Sequence, residues 1–234
     1  MTHSEIPKRK DFYCEFSAPG WLVTHPVAPI LAILIGSAVF GWLAIQVKTN
    51  GPWLRSDILL AAQFHAMAAQ ATPAIIEIMT FGFFLGKEMV EIIGVILVVY
   101  FLHKRFWPEL GMVLIGWSGG ALLWIFITQY FHRARPDAQI GIVVHEPSFP
   151  SGHTMQSILC FGLLAYFLVP RMPSLFWKWV VVITAIATAL FIGYSRLYEG
   201  GHYPIDLIAG YALGIAWGAL IYTVMEIFVV RRRV

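Results

Sequence analysis

Long apolar stretches separated by short polar ones set the pattern of this chain. The first is "APILAILIGSAVFGWLAIQV" at 28–47, and comparable runs occupy 109–131, 153–170, 176–194 and 205–230. Each is close to the roughly 20 apolar residues that a helix needs to cross a bilayer. The stretch 57–102 is also apolar, but Glu77, Lys87, Glu88 and Glu91 interrupt it. Two spans there would strand a charge near mid-membrane, at a cost of about 3 kcal/mol or more unless it is paired. The pattern therefore predicts one span at 85–103, with Lys87 and Glu88 near an interface; a span at 72–92 is the alternative. The segment 57–71, "DILLAAQFHAMAAQA", then reads as an amphipathic helix lying on the membrane, either a plain interfacial helix or a gate over a site.

Six spans place both termini on one side. The basic clusters at 8–10, 103–105 and 231–233, together with Arg171 and Lys178, all fall on that side, which the positive-inside rule makes cytoplasmic. The outer side receives 48–84, 132–152 and 195–204.

Composition agrees with this layout. Of 234 residues, 59% are hydrophobic and 12% charged. A soluble domain is about a quarter charged, so this chain lacks the polar side chains to cover a water-facing surface. The expected class is all-α, a polytopic membrane helical bundle of six transmembrane helices. The net charge of +3 sits in short clusters beside spans, which suits membrane topology and gives no nucleic-acid site. Cys14 and Cys160 suggest no disulfide framework, and the first 20 residues lack the apolar core of a cleavable signal peptide. With no repeat and short loops, 1–234 reads as a single membrane-embedded domain. Within it, 1–27 is a cytoplasmic segment, 48–84 an outer-side amphipathic region, and 85–225 the core that carries the polar motifs.

Three polar stretches meet on the outer side. "HRARPDAQ" (132–139) follows one span, "PSGH" (150–153) precedes the next, and "SRLYEGGHYPID" (195–206) joins the last two. Taken singly, the arginines read as interfacial anchors, "PSGH" as a turn, and Asp206 as a favourable charge at a helix start. Together they point elsewhere. Arg133, Arg135 and Arg196 lie on the side where basic residues are disfavoured, so an anionic partner is expected. Guanidinium forks suit phosphate oxygens, and Ser151 with Gly152 supplies a hydroxyl and open backbone N–H groups at a helix start. His202 and Asp206 lie four residues apart, with Pro204 suited to the first helical position. A carboxylate at that offset can accept one imidazole proton and leave the other nitrogen as a nucleophile, while His153 supplies a proton to a leaving group. His25, His65, His103 and His145 read as interfacial or loop residues.

At these residues the chain resembles the type 2 phosphatidic acid phosphatase family, integral membrane lipid phosphatases whose core is similar to that of vanadium haloperoxidases. The family's motifs are Lys-x6-Arg-Pro, Pro-Ser-Gly-His and Ser-Arg-x5-His-x3-Asp. The second is intact at Pro150–His153 and the third at Ser195, Arg196, His202 and Asp206. The first keeps Arg135-Pro136 but carries Thr128 where the family has lysine. Arg133, His132 and Lys87 are the candidates to restore that positive charge, and Lys87 is equally suited to pairing with Glu88 or Glu91.

The resemblance implies a membrane phosphatase acting on lipid phosphates or diphosphates of the polyprenyl diphosphate, phosphatidylglycerol phosphate or phosphatidic acid class. It also implies catalysis by His202, His153 and Asp206, with phosphate held by Arg135, Arg196, Ser151 and Gly152 and additional contacts from Arg133, Lys87 or Thr128. A phosphohistidine forms on His202, and no metal or cofactor is implied. The expected partners are the lipid phosphate and the surrounding membrane lipids, and the expected location is a bacterial cytoplasmic (inner) membrane with the site facing out. A lipid phosphotransferase using the same intermediate and a non-catalytic lipid or anion carrier are the alternatives.

Overall fold

The computed structural model describes residues 25–136 and 144–231; the basic cluster at 8–10, Cys14, and the side chains of the cluster at 231–233 lie outside the description. The described residues are helical, with no strand among them. The helices are α1 (Val27–Thr49), α2 (Trp53–Ala68), α3 (Pro73–Phe84), α4 (Val90–Lys104) and α5 (Trp107–Gly111). They are followed by α6 (Gly119–Phe131), α7 (Gly152–Leu168), α8 (Leu175–Tyr198) and α9 (Pro204–Arg231). Two π-helical stretches, Leu85–Met89 and Met112–Ser118, run α3 into α4 and α5 into α6.

Five helical segments are long and apolar enough to cross a membrane: Val27–Thr49, Trp107–Phe131, Gly152–Arg171, Leu175–Tyr198 and Pro204–Phe228. They coincide with the five clear apolar runs of the sequence. The span expected at 85–103 instead falls within one helical run from Pro73 to Lys104, whose Glu77, Lys87, Glu88 and Glu91 keep it below that standard.

Helix α7 is the centre of the bundle, packed between α8 and α9. Its buried Met155, Leu159, Leu163 and Phe167 recur every four residues, the spacing of a single helix face. Helix α1 lies along α9 and buries only Pro29, Gly36 and Leu43, one residue every two turns. Gly36 permits that approach, because a Cβ there would come within 2.7 Å of the Ala212 carbonyl oxygen. Small residues of this kind let membrane helices pack closely where no hydrophobic drive operates between them. The outward faces carry exposed Leu34, Ile35, Phe126 and Ile183, which a hydrocarbon solvent accommodates. Away from the polar motifs, Phe101, Phe106, Leu110, Val113, Leu163 and Tyr222 form an apolar cluster that closes the other end.

The stretch expected as an interfacial amphipathic helix is helical, but α2 packs on α8 and α9 and buries Asp57 in the contact. Asp57, in a stretch expected to lie on the membrane surface, is therefore part of the interior.

Contact between α7 and α9 is tightest where the polar motifs begin. The Thr154 hydroxyl shares its proton between the carbonyls of Ser151 (3.1 Å) and Leu207 (3.2 Å). A Cβ on Gly210 would run into that hydroxyl and lie 2.5 Å from the Ser151 carbonyl oxygen. Gly210→Ala is expected to push the two helix starts apart, lowering stability by about 1–3 kcal/mol as overpacking does. Gly41→Ala, where a methyl meets nothing within 4 Å, serves as the neutral control. Thermal unfolding of both variants in detergent checks this, and equal midpoints would refute the contact's importance.

Candidate active site

Backbone hydrogen bonds stitch the three polar stretches together before any side chain contributes. His132 ends α6 in a left-handed conformation (φ 47°), turning the chain into Arg133–Pro136. The 144–150 segment then runs beside it, with the Ser148 N–H donating to the Arg133 carbonyl (2.8 Å) and the Ser148 hydroxyl to the Ala134 carbonyl (3.1 Å). The Ser151 N–H in turn donates to the Asp206 carbonyl at 3.0 Å. Ser151 is the N-cap of α7, and its helix start rests on Trp124, whose indole N–H donates to the Pro150 carbonyl at 2.9 Å. Gly152 is required there, since a Cβ would lie 2.7 Å from the Trp124 ring.

His202 occupies the loop between α8 and α9. Its Nδ1 lies 2.9 Å from the Ser148 carbonyl oxygen, which can only accept, so Nδ1 carries the proton and donates. Nε2 then holds the lone pair, and Arg135 Nη1 donates to it from 3.0 Å. The expected partner, Asp206, stands 3.7 Å from Nδ1, beyond hydrogen-bond length. It acts on the ring through its charge, while the backbone carbonyl of Ser148 fixes the tautomer. Burial pulls the His202 imidazole down to about 4, aided by the positive charges of Arg135 and Arg196 and opposed by Asp206. The ring is therefore neutral at ordinary pH, the state a nitrogen nucleophile needs.

Asp206 belongs to a buried ion network. Its Oδ1 pairs with Arg133 Nη1 at 2.6 Å, and its Oδ2 accepts the Tyr203 N–H at 3.0 Å, reaching back to cap α9. Arg133 Nη2 pairs with Asp57 at 2.6 Å, and Asp57 also accepts the Ile205 N–H at 2.8 Å in the first turn of α9. Burial tends to lower the Arg133 guanidinium, but the Asp206 and Asp57 carboxylates more than reverse it. Asp57 itself is raised by burial, against the pull of the Ile205 N–H and Arg133.

The remaining cations are held separately. Arg135 donates Nε to the Glu146 carbonyl and Nη1 to the Gly201 carbonyl, both at 2.6 Å, and burial lowers it from its ordinary value. Arg196 is ion-paired with Glu199, and its guanidinium lies 4.3 Å from the centroid of the Phe83 ring. A Cβ on Gly201 would lie 3.8 Å from both Arg135 Nη1 and Arg196 Nη1, so two guanidiniums converge beside His202. The His153 ring stands 6.3 Å from that of His202, between centroids, and packs on Phe83 at 4.9 Å. His153, Gly152 and Arg135 open onto a cavity of about 240 Å³ that also contains Lys87.

His202, His153, Asp206, Arg135, Arg196, Ser151 and Gly152 are thus brought to one place, as the spacing of the motifs implies. Two expectations change. Both terminal nitrogens of Arg133 are taken by carboxylates, so Arg133 braces the site and leaves no fork for a phosphate. Thr128 is buried on α6 and does not line the cavity, nor does His132, which is exposed at the helix end. Lys87 does line it, has no carboxylate within ion-pair distance among the described residues, and projects over Phe83. Among the described residues, no three His, Cys, Asp or Glu side chains are grouped as a metal site. Sequence reasoning missed Asp57, Glu199 and the Ser148 carbonyl. Glu199 alone left a signal, as a carboxylate three residues from Arg196.

A neutral imidazole whose Nε2 lone pair is met by Arg135, a second imidazole near it and converging guanidiniums lie at one end of a membrane-helix bundle, the parts a phosphoryl-transfer site requires. The chain belongs to the PAP2 superfamily, whose family model matches residues 109–229. Phosphatidylglycerophosphatase B of Bacillus subtilis is 32% identical over 176 residues, covering 68% of this chain and 85% of that protein. The crystal structure of a transmembrane PAP2-type phosphatidylglycerolphosphate phosphatase from Bacillus subtilis aligns with TM-score 0.68 and 29% identity, covering 83% of this chain and 94% of that one. LpxE of Aquifex aeolicus shares the fold, with TM-score 0.52 and 22% identity over 69% of this chain and 93% of its own.

The ion network generates a test. Arg133→Met leaves Asp57 and Asp206 buried without their cation, and breaking such a pair costs about 3–5 kcal/mol. A second change, Asp57→Asn, removes one stranded carboxylate and is expected to recover part of that loss. Thermal midpoints of the single and double variants decide it; a double variant less stable than Arg133→Met would contradict the network.

Proposed function

We propose that this protein hydrolyses lipid phosphates at the outer end of the bundle by way of a phosphohistidine on His202. One observation carries the reading. The Ser151 hydroxyl, His153 Nε2 and Arg196 Nε, from the motifs that bring the two imidazoles together, are all buried without a hydrogen-bond partner among the described residues. Buried polar atoms are seldom left so, and a single phosphate oxyanion group satisfies all three.

The chemistry follows from the protonation states. A phosphate arriving in the gap draws Arg135 Nη1 off His202 Nε2 and onto its own oxygens, uncovering the lone pair. His202 Nε2 attacks phosphorus, the bond from phosphorus to the lipid oxygen breaks, and His153, which takes up a proton as the phosphate anion enters beside it, delivers that proton to the oxygen. Water, losing a proton to His153, then attacks phosphorus, breaking the N–P bond and releasing inorganic phosphate and neutral His202. Arg135, Arg196, the Ser151 hydroxyl and the Gly152 N–H stabilise the developing charge. Asp206 offsets the positive charge that His202 acquires while bonded to phosphorus, and the Ser148 carbonyl holds the ring at its angle.

The substrates named for the relatives, phosphatidylglycerophosphate above all, suit a site reached from the bilayer. We assign the helical run Pro73–Lys104 as a sixth crossing, which places both chain ends on the cytoplasmic side of a bacterial inner membrane. Lys87, carried into the cavity by the π-helical stretch, takes the place of the lysine that Thr128 replaces in the first motif.

Two measurements test this. Phosphate release from phosphatidic acid and phosphatidylglycerophosphate, with chelator present, is expected to fall about 1,000-fold or more in His202→Ala, as it does on removing a covalent nucleophile. A substrate labelled in the phosphate should leave an acid-labile, base-stable label on the wild type and none on the variant; unchanged release in His202→Ala would exclude the mechanism. Lys87→Gln is expected to lower kcat/KM about 10- to 100-fold, the scale of one charge-assisted phosphate contact, with Lys87→Arg retaining most of it. Equal activity of Lys87→Gln and wild type would remove Lys87 from the site.

A further inference from the structure

The cavity beside His153 has a polar wall that the phosphate chemistry does not use. Gln156 lines it one turn along α7 from His153, with which it shares a helix face. Both its side-chain amide oxygen and its nitrogen are buried with no hydrogen-bond partner among the described residues. The neighbouring polar side chains of α7 behave differently: Thr154 is bonded to the Ser151 and Leu207 carbonyls, and Ser157 to the Thr154 carbonyl at 2.9 Å. The two indoles of the cavity divide in the same way. Trp124 donates to Pro150, whereas the Trp117 N–H is buried without a partner.

Depth along the groove can be read from α4 and the turn before it. Gly86 packs against His153, and Gly94, eight residues further along, packs against the Trp117 ring. At about 1.5 Å per residue, Trp117 lies about 12 Å from the level of His153, and Gln156 falls between them. Val90, Ala121 and Ile125 line this stretch with hydrocarbon, and Glu91 on α4 adds one carboxylate. A primary amide without a partner among the described residues thus stands beside a largely apolar stretch of the cavity, one turn from His153.

We propose that Gln156 hydrogen-bonds the ester oxygens of a glycerol-based lipid whose phosphate occupies the His153–His202 gap, and thereby sets a preference for glycerophospholipid over prenyl substrates. The proposal rests on the lipid phosphatase reading above. An ester carbonyl close to the phosphate accepts the Gln156 N–H. A prenyl phosphate presents only hydrocarbon at that level and leaves the amide unsatisfied, which is how a buried polar group discriminates between substrates.

The test compares wild type with Gln156→Met, which keeps the side-chain length and removes the amide. Three pure substrates are assayed in detergent micelles: dioleoyl phosphatidic acid, its diether analogue lacking ester carbonyls, and farnesyl phosphate. For Gln156→Met, kcat/KM on phosphatidic acid is expected to fall about tenfold, the scale of one buried hydrogen bond, while that on farnesyl phosphate changes less than about twofold. On the diether, wild type should already be impaired and the variant should lose little more. An equal loss on all three substrates, or no loss on phosphatidic acid, overturns the role of Gln156 while leaving the phosphatase reading intact. Wild type inactive on all three overturns both.

Discussion

Arg133 holds together the charges on which this site depends. Its guanidinium lies between Asp57 on α2 and Asp206 on α9, 2.6 Å from each, and all three side chains are largely withdrawn from solvent. A buried carboxylate alone is costly, and two facing each other are costlier; a single planar cation with a donor for each resolves both. The same bridge fixes geometry. Asp57 also receives the Ile205 N–H, and Asp206 the Tyr203 N–H, so the first turn of α9 is pinned from two directions. His202 stands immediately before that turn. Its position therefore derives from a salt bridge that never touches the proposed substrate.

The imidazole is then aimed by a backbone group. The Ser148 carbonyl takes the Nδ1 proton, and Ser148 is itself anchored by its N–H and hydroxyl to the Arg133 and Ala134 carbonyls. This divides labour that a histidine–carboxylate pair usually combines. The carbonyl sets tautomer and angle, while Asp206, at 3.7 Å, supplies charge without taking the proton. With burial holding the ring near 4, the proposed nucleophile is uncharged over the physiological range. Arg135 covers its lone pair, so on the proposed mechanism the phosphate itself, by drawing Arg135 away, exposes it.

Much of this was legible in the sequence for definite physical reasons. The five clear spans follow from apolar runs that no soluble fold would tolerate, and their ends agree with the helices to within a few residues. His153, Arg196, His202 and Asp206 were recognisable because their spacing at helix ends has a chemical meaning. Asp57 was not, because an acid on an amphipathic stretch reads equally well as a wet-face residue. The Ser148 carbonyl was invisible in principle, since every residue has one and only the chain path decides which is used. The pairing of Arg133 with Asp57 and Asp206 was hidden for a related reason. A cluster of outer-side arginines calls for anions, and sequence does not say whether those anions are substrate phosphates or the protein's own carboxylates.

The π-helical stretch Leu85–Met89 bears on the one motif position that departs from the family pattern. A π-turn inserts a residue into a helix and shifts the faces that follow it, and such turns recur at functional sites. Here it falls where α3 and α4 pass the site. Gly86 sits against His153 and Ile192, where any side chain would collide, and Lys87 turns into the cavity. Lys87 lies one helical turn beyond Phe83 and projects over its ring, and Phe83 in turn packs against His153 and Arg196. One helical run thus supplies both an aromatic surface for His153 and Arg196 and a lysine beside the proposed phosphate. Thr128, buried on α6 away from the cavity, is then free to be uncharged. On this view a cation reaches the cavity from a different helix, and the departure at Thr128 leaves the charge of the proposed phosphate site intact.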